Sequence, residues 1–564
     1  MSYLVIVSNR GPFSFSEEFL KNAQACLKKG TEPEAPSFGE GGLVQAMAGL
    51  LKPGRWDTTW IGASMGDCDI DVARGHYTGL FRKMKKAKYA PGHFPHIEIQ
   101  REGRMHFKFK DYDFYMRFVF FDTKHMHSYY SKFANGFLWP LMHLTRPPLF
   151  YKKTPVFPRP HFVKNDFVQY TSSGVTFANT IIDETRKSMA VGRDKDNIVI
   201  WNQDYHLMQI AEVYKALLVE EGLSDGKRKR IHVGQFIHTP LFNIHEIQGL
   251  IREDKRQRVR AQIYDPFGET IETALQKLTW GMLSNDFIGF HTKEYCDHYL
   301  EALQEWFPVE IRIKDQFYEV IHQDSVTTIG AFPIGLDVDH ILSEVAKGER
   351  LNYELGGKSL YRRISNDRKA GRYIFGGLER CDYTKGLLAR LSIFEHALAK
   401  LRALKKDSRF YQVTAPSRSE SPDYQQLHAF LEQSVTKSNQ RIQGAPIIHI
   451  DQGITAPQNY KFMKEIDVML VTPLEDGMNL VAFEYILSQK YRRPEERGIL
   501  VLSTSGAARV LKQQGFGVED GIVDVNPMTA KAEATVERLP SPSTAKAINL
   551  CNNFPHEQLH LTVK

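Results

Sequence analysis

Short apolar runs rich in β-branched residues recur along this chain, with amphipathic helical stretches between most of them. The first covers residues 3–7 and ends in a polar turn with Gly11 and Pro12; the others cover 197–201, 231–237, 286–290, 373–375, 447–450, 468–471 and 498–502. Strands that alternate with helices are typical of doubly wound parallel sheets. The sequence therefore predicts an α/β fold whose chemistry lies in loops at the carboxyl ends of the strands.

Two α/β halves are predicted, with a boundary near residue 340. The segment GAFPIG at 330–335 is a Gly/Pro turn, and a polar helical stretch and a fresh strand follow it.

The 564 residues are 42% hydrophobic and 25% charged, as in globular proteins. Lys and Arg exceed Asp and Glu by only 73 − 66 = 7, so no nucleic-acid partner is expected. The Pro-rich, basic stretch 146–165 indicates an irregular excursion.

The location of the protein is predicted from its cysteines and its first residues. Five cysteines with no C-x-x-C pair indicate neither a disulfide framework nor a zinc ribbon. The apolar run at 3–7 is too short for a signal sequence or a membrane span. We therefore expect a cytoplasmic protein with no membrane partner, and a homo-oligomer stays open.

No metal and no cofactor are expected. The sequence GGKS at 356–359 lacks the first glycine of a phosphate-binding P-loop, since Asn352 stands there. The one H-E-x-x-H, from His556 to His560, lies at the end of the chain, where a frayed tail is expected. We interpret it as accidental.

Several polar loop motifs follow the predicted strands. They are SNR at 8–10, GEGGL at 39–43, WNQDYHL at 201–207, FIHTP at 236–240, DFIGFHT at 286–292, ERCDYTKG at 379–386, APSR at 415–418 and EDGMNLVAFEY at 475–485. Arg380 and Lys385 are spaced to converge on a diphosphate, and residues 476–479 open a helix whose free N–H groups can bind an anion. A solvated face and an ordinary helix cap explain the same residues equally well. From the residues alone, the prediction is a two-lobed α/β protein with a polar, cation-lined cleft.

The order and spacing of these motifs resemble those of the trehalose-6-phosphate synthase family of retaining glycosyltransferases, glycosyltransferase family 20. The resemblance runs from about Tyr3 to Asp524 and is most specific in DFIGFHT, GAFPIG, DYTKG and DGMNLVAFEY. It implies a GT-B fold, in which two Rossmann-like, doubly wound lobes face a central cleft. Residues 1–340 would then bind the acceptor, and residues 341–564 would bind a nucleotide-sugar.

The resemblance also implies a donor site. Arg380 and Lys385 would neutralise the donor diphosphate, Glu484 would bind the ribose, and His238 would contact the transferred sugar near the reacting centre. The other donor residues would be Gly41, Gly42, Asp476, Gly477, Met478, Asn479 and Leu480. The residues that would act on the reaction itself are His238, Arg380, Lys385 and Asp476, since fixed cations and N–H donors lower the barrier to departure of a nucleoside diphosphate.

For the acceptor, the resemblance implies that a sugar phosphate is bound by Arg10, Tyr130, Trp139 and Arg418, with Asp204 near its hydroxyls. One departure affects this site. The family pattern W-x-G-W becomes Trp60-Ile61-Gly62-Ala63 here, so one ring of the acceptor pocket is replaced by a methyl group. The stretch 247–285 and the ending 525–564 also depart from the pattern.

The resulting hypothesis is a retaining transferase that moves glucose from a nucleoside-diphosphate-glucose to a sugar phosphate, with glucose 6-phosphate giving trehalose 6-phosphate as the leading case. Two alternatives remain. One is the same fold with another phosphorylated acceptor, such as glycerol phosphate or a cyclitol phosphate. The other is a catalytically silent regulatory relative that binds sugar phosphates. The sequence leaves the donor base and the acceptor open.

Overall fold

The computed structural model describes residues 2–31, 44, 47–54, 56–87, 96–100, 103–109, 111–143, 160–190, 197–260, 269–323, 325–348, 354–355, 358–418, 421–517 and 520–525. Gly41, Gly42, the stretch 144–159 and the H-E-x-x-H motif lie outside the described residues. Internal contacts divide the described chain into two compact units. Unit 1 comprises residues 2–139 and 160–332, and unit 2 comprises residues 140–143 and 333–525.

The strands along residues 2–332 are β1 Ser2–Arg10, β2 Trp56–Ala63, β3 His96–Ile99, β4 Arg104–Phe109, β5 Tyr112–Val119, β6 Ile198–Gln203, β7 Ile231–Ile237, β8 Phe287–Phe290, β9 Glu310–Lys314, β10 Phe317–His322 and β11 Ser325–Ala331. The helices are α1 Glu17–Lys29, α2 Asp67–Ala73, α3 Thr78–Lys86, α4 Thr123–Met126, a π-helix His127–Leu138, α5 Trp139–Met142, α6 Lys164–Ser188, α7 Ile210–Glu220, α8 Asp225–Arg228, α9 Ile244–Arg260, α10 Ile271–Leu283 and α11 Lys293–Trp306. Short 3₁₀ turns lie at Ala48–Leu51 and Tyr205–Leu207.

Unit 1 is built on one sheet with the strand order β3-β4-β5-β2-β1-β6-β7-β8-β11-β10-β9. The run from β5 to β11 is parallel, and antiparallel strands flank it on both sides. In β1, residues 3–7 are at most 4% exposed because helices cover both faces of the sheet. This burial on two faces is why the central strands read as continuous apolar runs.

In unit 2 the strands are β12 Glu354–Leu355, β13 Lys358–Ser359, β14 Arg372–Arg380, β15 Asp407–Ala415, β16 Ile447–Ile450, β17 Val468–Val471, β18 Ile499–Ser503 and β19 Ile522–Val525. The helices are α12 Val338–Gly348, α13 Leu360–Lys369, α14 Leu387–Ala403, α15 Pro422–Arg441, α16 Ala456–Glu465, α17 Leu480–Ser488 and α18 Gly506–Gln513, with 3₁₀ turns at Tyr383–Lys385, Gln489–Tyr491 and Pro494–Glu496. The main sheet has the order β16-β15-β14-β17-β18-β19, and every pair in it is parallel.

The predicted α/β architecture is confirmed in both units. Each strand predicted from an apolar run is present, and helices lie between most of them. The intervening stretches also contain strands that were not predicted, such as β2, β5, β11 and β15. The order reverses at β14, with β15 on one side and β17 on the other, as in doubly wound sheets. The described residues contain no helix that combines the length and the apolarity needed to cross a bilayer.

Gly386 joins the turn after β14 to helix α14 in a conformation that suits only glycine. Its φ is +60°, and a Cβ there would lie 1.9 Å from the carbonyl oxygen of Thr472. That oxygen belongs to the backbone directly after β17, so it cannot rotate away as a side chain could. The close approach therefore sets the position of the turn against the neighbouring strand.

We expect Gly386→Ala to lower the free energy of unfolding by about 3 kcal/mol, through steric overlap added to the cost of a positive φ. Gly371→Ala is the matched control, because Gly371 has a φ of +77° and a Cβ added there would have no heavy atom within 4 Å. It should cost only about 1 kcal/mol. Chemical denaturation of both variants measures the difference, and equal losses would contradict the steric argument.

Candidate active site

The predicted site residues of unit 1 lie at the carboxyl ends of adjacent parallel strands. Arg10 ends β1, and Ala63 ends β2 and pairs with Arg10 in the strand register. Asp204 and His238 directly follow β6 and β7. Since these strands are neighbours in the order β2-β1-β6-β7, the fold brings together residues that are up to 228 positions apart in sequence (238 − 10).

A cation and a row of rings make up the first part of this site, which we call the aromatic cluster: Arg10, Tyr130, Trp139, Tyr205 and His206. The guanidinium of Arg10 lies 5.4 Å from the centroid of the Tyr130 ring. Tyr130 stacks on His206 at 5.6 Å, and His206 lies 4.0 Å from Tyr205. Trp139 follows at 5.8 Å from Tyr205. The cluster offers an exposed guanidinium beside ring faces, which suits an anionic, partly apolar ligand.

A π-helix carries Tyr130 into this cluster. It runs from His127 to Leu138, and such helices are rare and often occur at functional sites. Hydrogen bonds from inside the π-helix fix it to the rest of unit 1, since Tyr129 donates from its hydroxyl to Asn9 Oδ1 at 2.8 Å and Asn135 Oδ1 accepts from the Tyr205 hydroxyl at 2.9 Å. Tyr130 and Trp139, two of the predicted acceptor residues, are thereby positioned by the same helical segment.

His238 is held in one orientation by a buried amide. Its Nε2 lies 2.7 Å from Gln203 Oε1, and its ring lies 5.4 Å from His291. Burial, and then His291, place the pKa of His238 well below its usual range, and burial lowers the pKa of His291 to about 4. With Gln203 Oε1 as acceptor, the neutral His238 donates from Nε2 and keeps Nδ1 as an acceptor.

Asp204 faces the protein backbone rather than open solvent. Its Oδ1 accepts a hydrogen bond from the His238 backbone N–H at 3.2 Å, and its backbone has a φ of +68°. Burial raises the pKa of Asp204 to about 6, although N–H groups of Tyr205, His238 and Thr239 lower it. The structure therefore gives Asp204 a role that the sequence did not indicate: its carboxyl positions the turn that carries His238.

Ala63 takes the place at which the family pattern has a second tryptophan. The residue is 0% exposed at the end of β2. Trp60, three residues earlier, is also fully buried and donates from Nε1 to Ser8 Oγ at 2.7 Å. The ring of Trp60 therefore belongs to the core of unit 1, and a methyl group lies beside Arg10.

In unit 2, a charge cluster occupies the carboxyl ends of β14 and β17; its members are Glu379, Lys385, Arg390, Asp476 and Asn479. Lys385 Nζ lies 2.5 Å from Asp476 Oδ2 and 3.9 Å from Glu379 Oε2. Asn479 donates to Glu379 Oε1 at 2.8 Å and to Asp476 Oδ2 at 3.4 Å. Two of the predicted catalytic residues, Lys385 and Asp476, are therefore in direct contact.

The charge cluster keeps Lys385 protonated. Burial by itself would lower the pKa of Lys385, but the carboxylates of Asp476 and Glu379 raise it above its usual value. Asn479 precedes helix α17, whose first N–H groups have no side-chain cap. An ammonium group and the positive end of a helix therefore lie together, which is an arrangement that binds phosphate.

Arg390 contacts this cluster from the buried side, in the core of unit 2. Its side chain is 0% exposed, and its guanidinium lies 3.8 Å from Glu379 Oε1 while Nε donates to Thr472 Oγ1 at 3.2 Å. Burial lowers the pKa of Arg390 to about 10, which leaves it charged at neutral pH. Sequence reasoning missed Glu379 and Arg390, although the ERCDYTKG motif begins at Glu379 and Arg390 follows four residues after it.

The remaining predicted residues of unit 2 lie around this cluster. Arg380 is the exposed last residue of β14, and Glu484 lies on the second turn of α17. Burial, and then Glu379, raise the pKa of Glu484 to about 7. Gly477 and Met478 belong to the loop before α17, and Leu480 begins that helix.

Arg418 lies after β15 in unit 2, whereas the other predicted acceptor residues lie in unit 1. Its backbone has a φ of +46°. The guanidinium contacts the hydroxyl of Tyr424 and lies 3.5 Å from Asp382 Oδ2. Asp382 is fully buried, yet Arg418 and Arg380 hold its pKa below the usual value. The ionised Asp382 thus positions Arg418, a role that the sequence did not reveal.

The profile of glycosyltransferase family 20 matches residues 3–251 and 273–535 of this sequence. The chain belongs to that family. As a glycosyltransferase of family 20, it is similar to the UDP-forming alpha,alpha-trehalose-phosphate synthase of Pichia angusta, at 28% identity over 95% of this chain and 91% of the relative. It is also 29% identical to the 56 kDa subunit of the Saccharomyces cerevisiae synthase, over 97% of this chain and 89% of that protein.

Solved structures share the fold of this family 20 glycosyltransferase. The trehalose-phosphate synthase of Burkholderia xenovorans in complex with glucose-6-phosphate superposes with a TM-score of 0.64, at 23% identity, over 99% of this chain and 96% of that one. An E. coli structure described as bound with UDP-2-fluoro glucose has a TM-score of 0.65, at 21% identity, over 99% and 94%. The expected GT-B fold is thereby confirmed.

We expect Arg390→Met to lower the free energy of unfolding by about 3 kcal/mol, because Glu379 loses a buried counter-charge. Adding Glu379→Gln should recover part of that loss. Arg402→Met is the control: Arg402 pairs with Asp407 at 3.2 Å, and both side chains are more than a third exposed, so the loss should stay below about 1 kcal/mol. Chemical denaturation of the wild type, of these three variants and of Glu379→Gln alone measures these values. A loss in the double variant equal to the sum of the two single losses would contradict the coupling.

Proposed function

We propose that this family 20 glycosyltransferase transfers glucose from UDP-glucose to glucose 6-phosphate and forms trehalose 6-phosphate with retention of configuration in the cytoplasm. The observation that carries the proposal is the charge cluster of unit 2, where Lys385 contacts Asp476 beside the uncapped start of α17. The names of the similar proteins support the substrates: UDP-forming trehalose-phosphate synthases from yeasts, and bacterial structures bound to glucose-6-phosphate and UDP-2-fluoro glucose.

In this proposal the chain beyond about residue 340 binds the nucleotide-sugar. Lys385 and Arg380 neutralise the diphosphate, and the N–H groups of residues 477–480 bind its oxygens at the helix start. Asp476 accepts hydrogen bonds from the donor glucose, and Glu484 accepts them from the ribose. Gly41 and Gly42 in the N-terminal half contribute backbone contacts to the donor phosphates.

Residues 1–340 would bind the acceptor, together with Arg418. Arg10 and Arg418 are the guanidinium groups for its phosphate, and Tyr130 and Trp139 supply ring contacts and hydrogen-bond donors. Asp204 orients the His238 turn and lies near the acceptor hydroxyls. His238, neutral and held by Gln203, offers Nδ1 to a hydroxyl of the transferred glucose.

The reaction breaks the bond between the anomeric carbon of glucose and the diphosphate oxygen, and it forms a bond from that carbon to the acceptor hydroxyl oxygen on the same face. The leaving phosphate takes the hydroxyl proton. Because negative charge grows on the leaving group, the fixed cations Lys385 and Arg380 lower the barrier. This route needs no carboxylate pair acting as nucleophile and acid.

The direct test incubates the purified protein with UDP-, ADP- or GDP-glucose and with glucose 6-phosphate, fructose 6-phosphate or glycerol 3-phosphate. We expect trehalose 6-phosphate from UDP-glucose and glucose 6-phosphate as the main product by mass spectrometry, with retained configuration by NMR. If product forms only with another acceptor, the residues around Ala63 would be identified as the part of the site that selects that acceptor. Nucleotide-sugar binding without any product would favour the regulatory alternative.

Lys385→Ala should reduce kcat by about 10²–10³-fold, because the leaving diphosphate loses a fixed positive charge. The matched control is Lys369→Ala, since Lys369 is exposed at the end of α13. Steady-state kinetics compares both variants with the wild type. Unchanged turnover in Lys385→Ala would remove this residue from the proposed mechanism.

The affinity for UDP-glucose should rise by up to about tenfold between about pH 6 and pH 8. The pKa of Glu484 is raised to about 7, and only its carboxylate form accepts hydrogen bonds from both ribose hydroxyls. Glu484→Gln should flatten the profile, whereas Glu495→Gln, at an exposed side chain, should leave it unchanged. Calorimetric titration across this pH range provides the measurement, and a profile that persists in Glu484→Gln would contradict the assignment.

A further inference from the structure

Two histidines and two carboxylates lie together where helix α15 packs on the edge strand β16 of unit 2. His428 and Glu432 are four residues apart on α15, so they share one face of the helix. His449 lies on β16, and Asp451 comes two residues later, directly after the strand. We call these four residues the helix–strand cluster.

In three members of this cluster, the atoms that could bind a metal ion lie about as close to one another as ligands of one ion do. One ligand atom each from His428, Glu432 and Asp451 lies within 4.8 Å of the other two. The shortest pair joins His428 Nε2 to Asp451 Oδ1 at 2.6 Å. Zinc–ligand bonds of about 2.0–2.2 Å place tetrahedral ligand atoms roughly 3.4 Å apart, so small side-chain rotations suffice to surround one ion.

The fourth member supplies an independent observation. His449 Nε2 is shielded from solvent and has no hydrogen-bond partner among the described residues. The same imidazole interacts electrostatically with His428, Glu432 and Asp451. A shielded nitrogen without a partner costs free energy. His449 is not among the residues whose ligand atoms already lie within 4.8 Å of one another, so its ring would have to turn towards them for a bound metal ion to satisfy this nitrogen.

The residue types determine the class of ion. Oxygen-only sites suit calcium or magnesium, whereas imidazoles favour zinc and its first-row neighbours. We propose that His428, Glu432, His449 and Asp451 form a binding site for one divalent transition metal ion, with zinc as the best fit. The site is separate from the charge cluster, and the transfer reaction does not require it.

The proposed ion would tie α15 to the edge of the sheet. Tyr424, one turn before His428 on the same helix, contacts Arg418 and donates to Asp382 Oδ2 at 3.1 Å. A metal bound at His428 would therefore stabilise the helix that supports the Arg418 guanidinium. Its role is structural, and its effect should appear in stability.

The test uses the full chain, freed of metal by a chelator and titrated with zinc chloride by calorimetry. We expect one zinc ion per chain at the helix–strand cluster and a rise in the thermal unfolding temperature. His428→Ala and Glu432→Gln should each weaken this binding at least tenfold and remove the rise in temperature. Glu432 is exposed, so its variant keeps the fold even where His428→Ala does not, and circular dichroism checks both.

Two controls distinguish this site from other histidines. His340→Ala, at an exposed position on α12, should bind zinc like the wild type. A double variant, His556→Ala with His560→Ala, removes the H-E-x-x-H motif and should also keep the cluster's zinc ion. The proposal is overturned if the wild type binds no zinc, or if binding survives both His428→Ala and Glu432→Gln.

Discussion

The contact between Lys385 and Asp476 is the interaction on which the proposed chemistry of unit 2 depends. A buried ammonium group would tend to lose its proton, and its carboxylate neighbours prevent this. Those carboxylates in turn need support, which comes from Arg390 under Glu379 and from the amide of Asn479 between Glu379 and Asp476. The positive charge of Lys385 is thus maintained by a chain of paired groups that extends into the core.

The site residues of unit 1 are positioned by other interactions than those of unit 2. Its predicted site residues are positioned by neutral hydrogen bonds and ring contacts, such as Gln203 to His238 and Tyr130 to His206. Among those predicted residues, the charged groups are the exposed guanidinium of Arg10 and the carboxyl of Asp204. A cation beside ring faces, like Arg10 in unit 1, is suited to recognising a phosphorylated sugar. Paired charges, like those around Lys385 in unit 2, are suited to a leaving group that gains negative charge during the reaction.

The sequence predicted eight strands of the two parallel sheets, such as β1 and β7, because strands buried on two faces are recognisable as apolar runs. It missed β2 and β15, which lie inside the parallel sheets but carry polar residues. It also missed strands such as β4 and β10, which lie in the antiparallel flanks. Among site residues, Lys385 and His238 could be named from their motifs. Glu379, Asp382 and Gln203 lie in motifs as well, and Arg390 follows one of them. They were missed because their roles arise from contacts with residues far apart in sequence, which a local pattern does not encode.

The π-helix from His127 to Leu138 constrains how this chain can change in evolution. Its hydrogen bonds join residues five apart rather than four, so its turns are wider than those of an α-helix. Deleting one residue between Tyr130 and Trp139 would rotate their side chains by about a quarter of a turn relative to each other, so they could no longer contact the same aromatic cluster. Substitutions in this segment are therefore easier to accept than a change in its length.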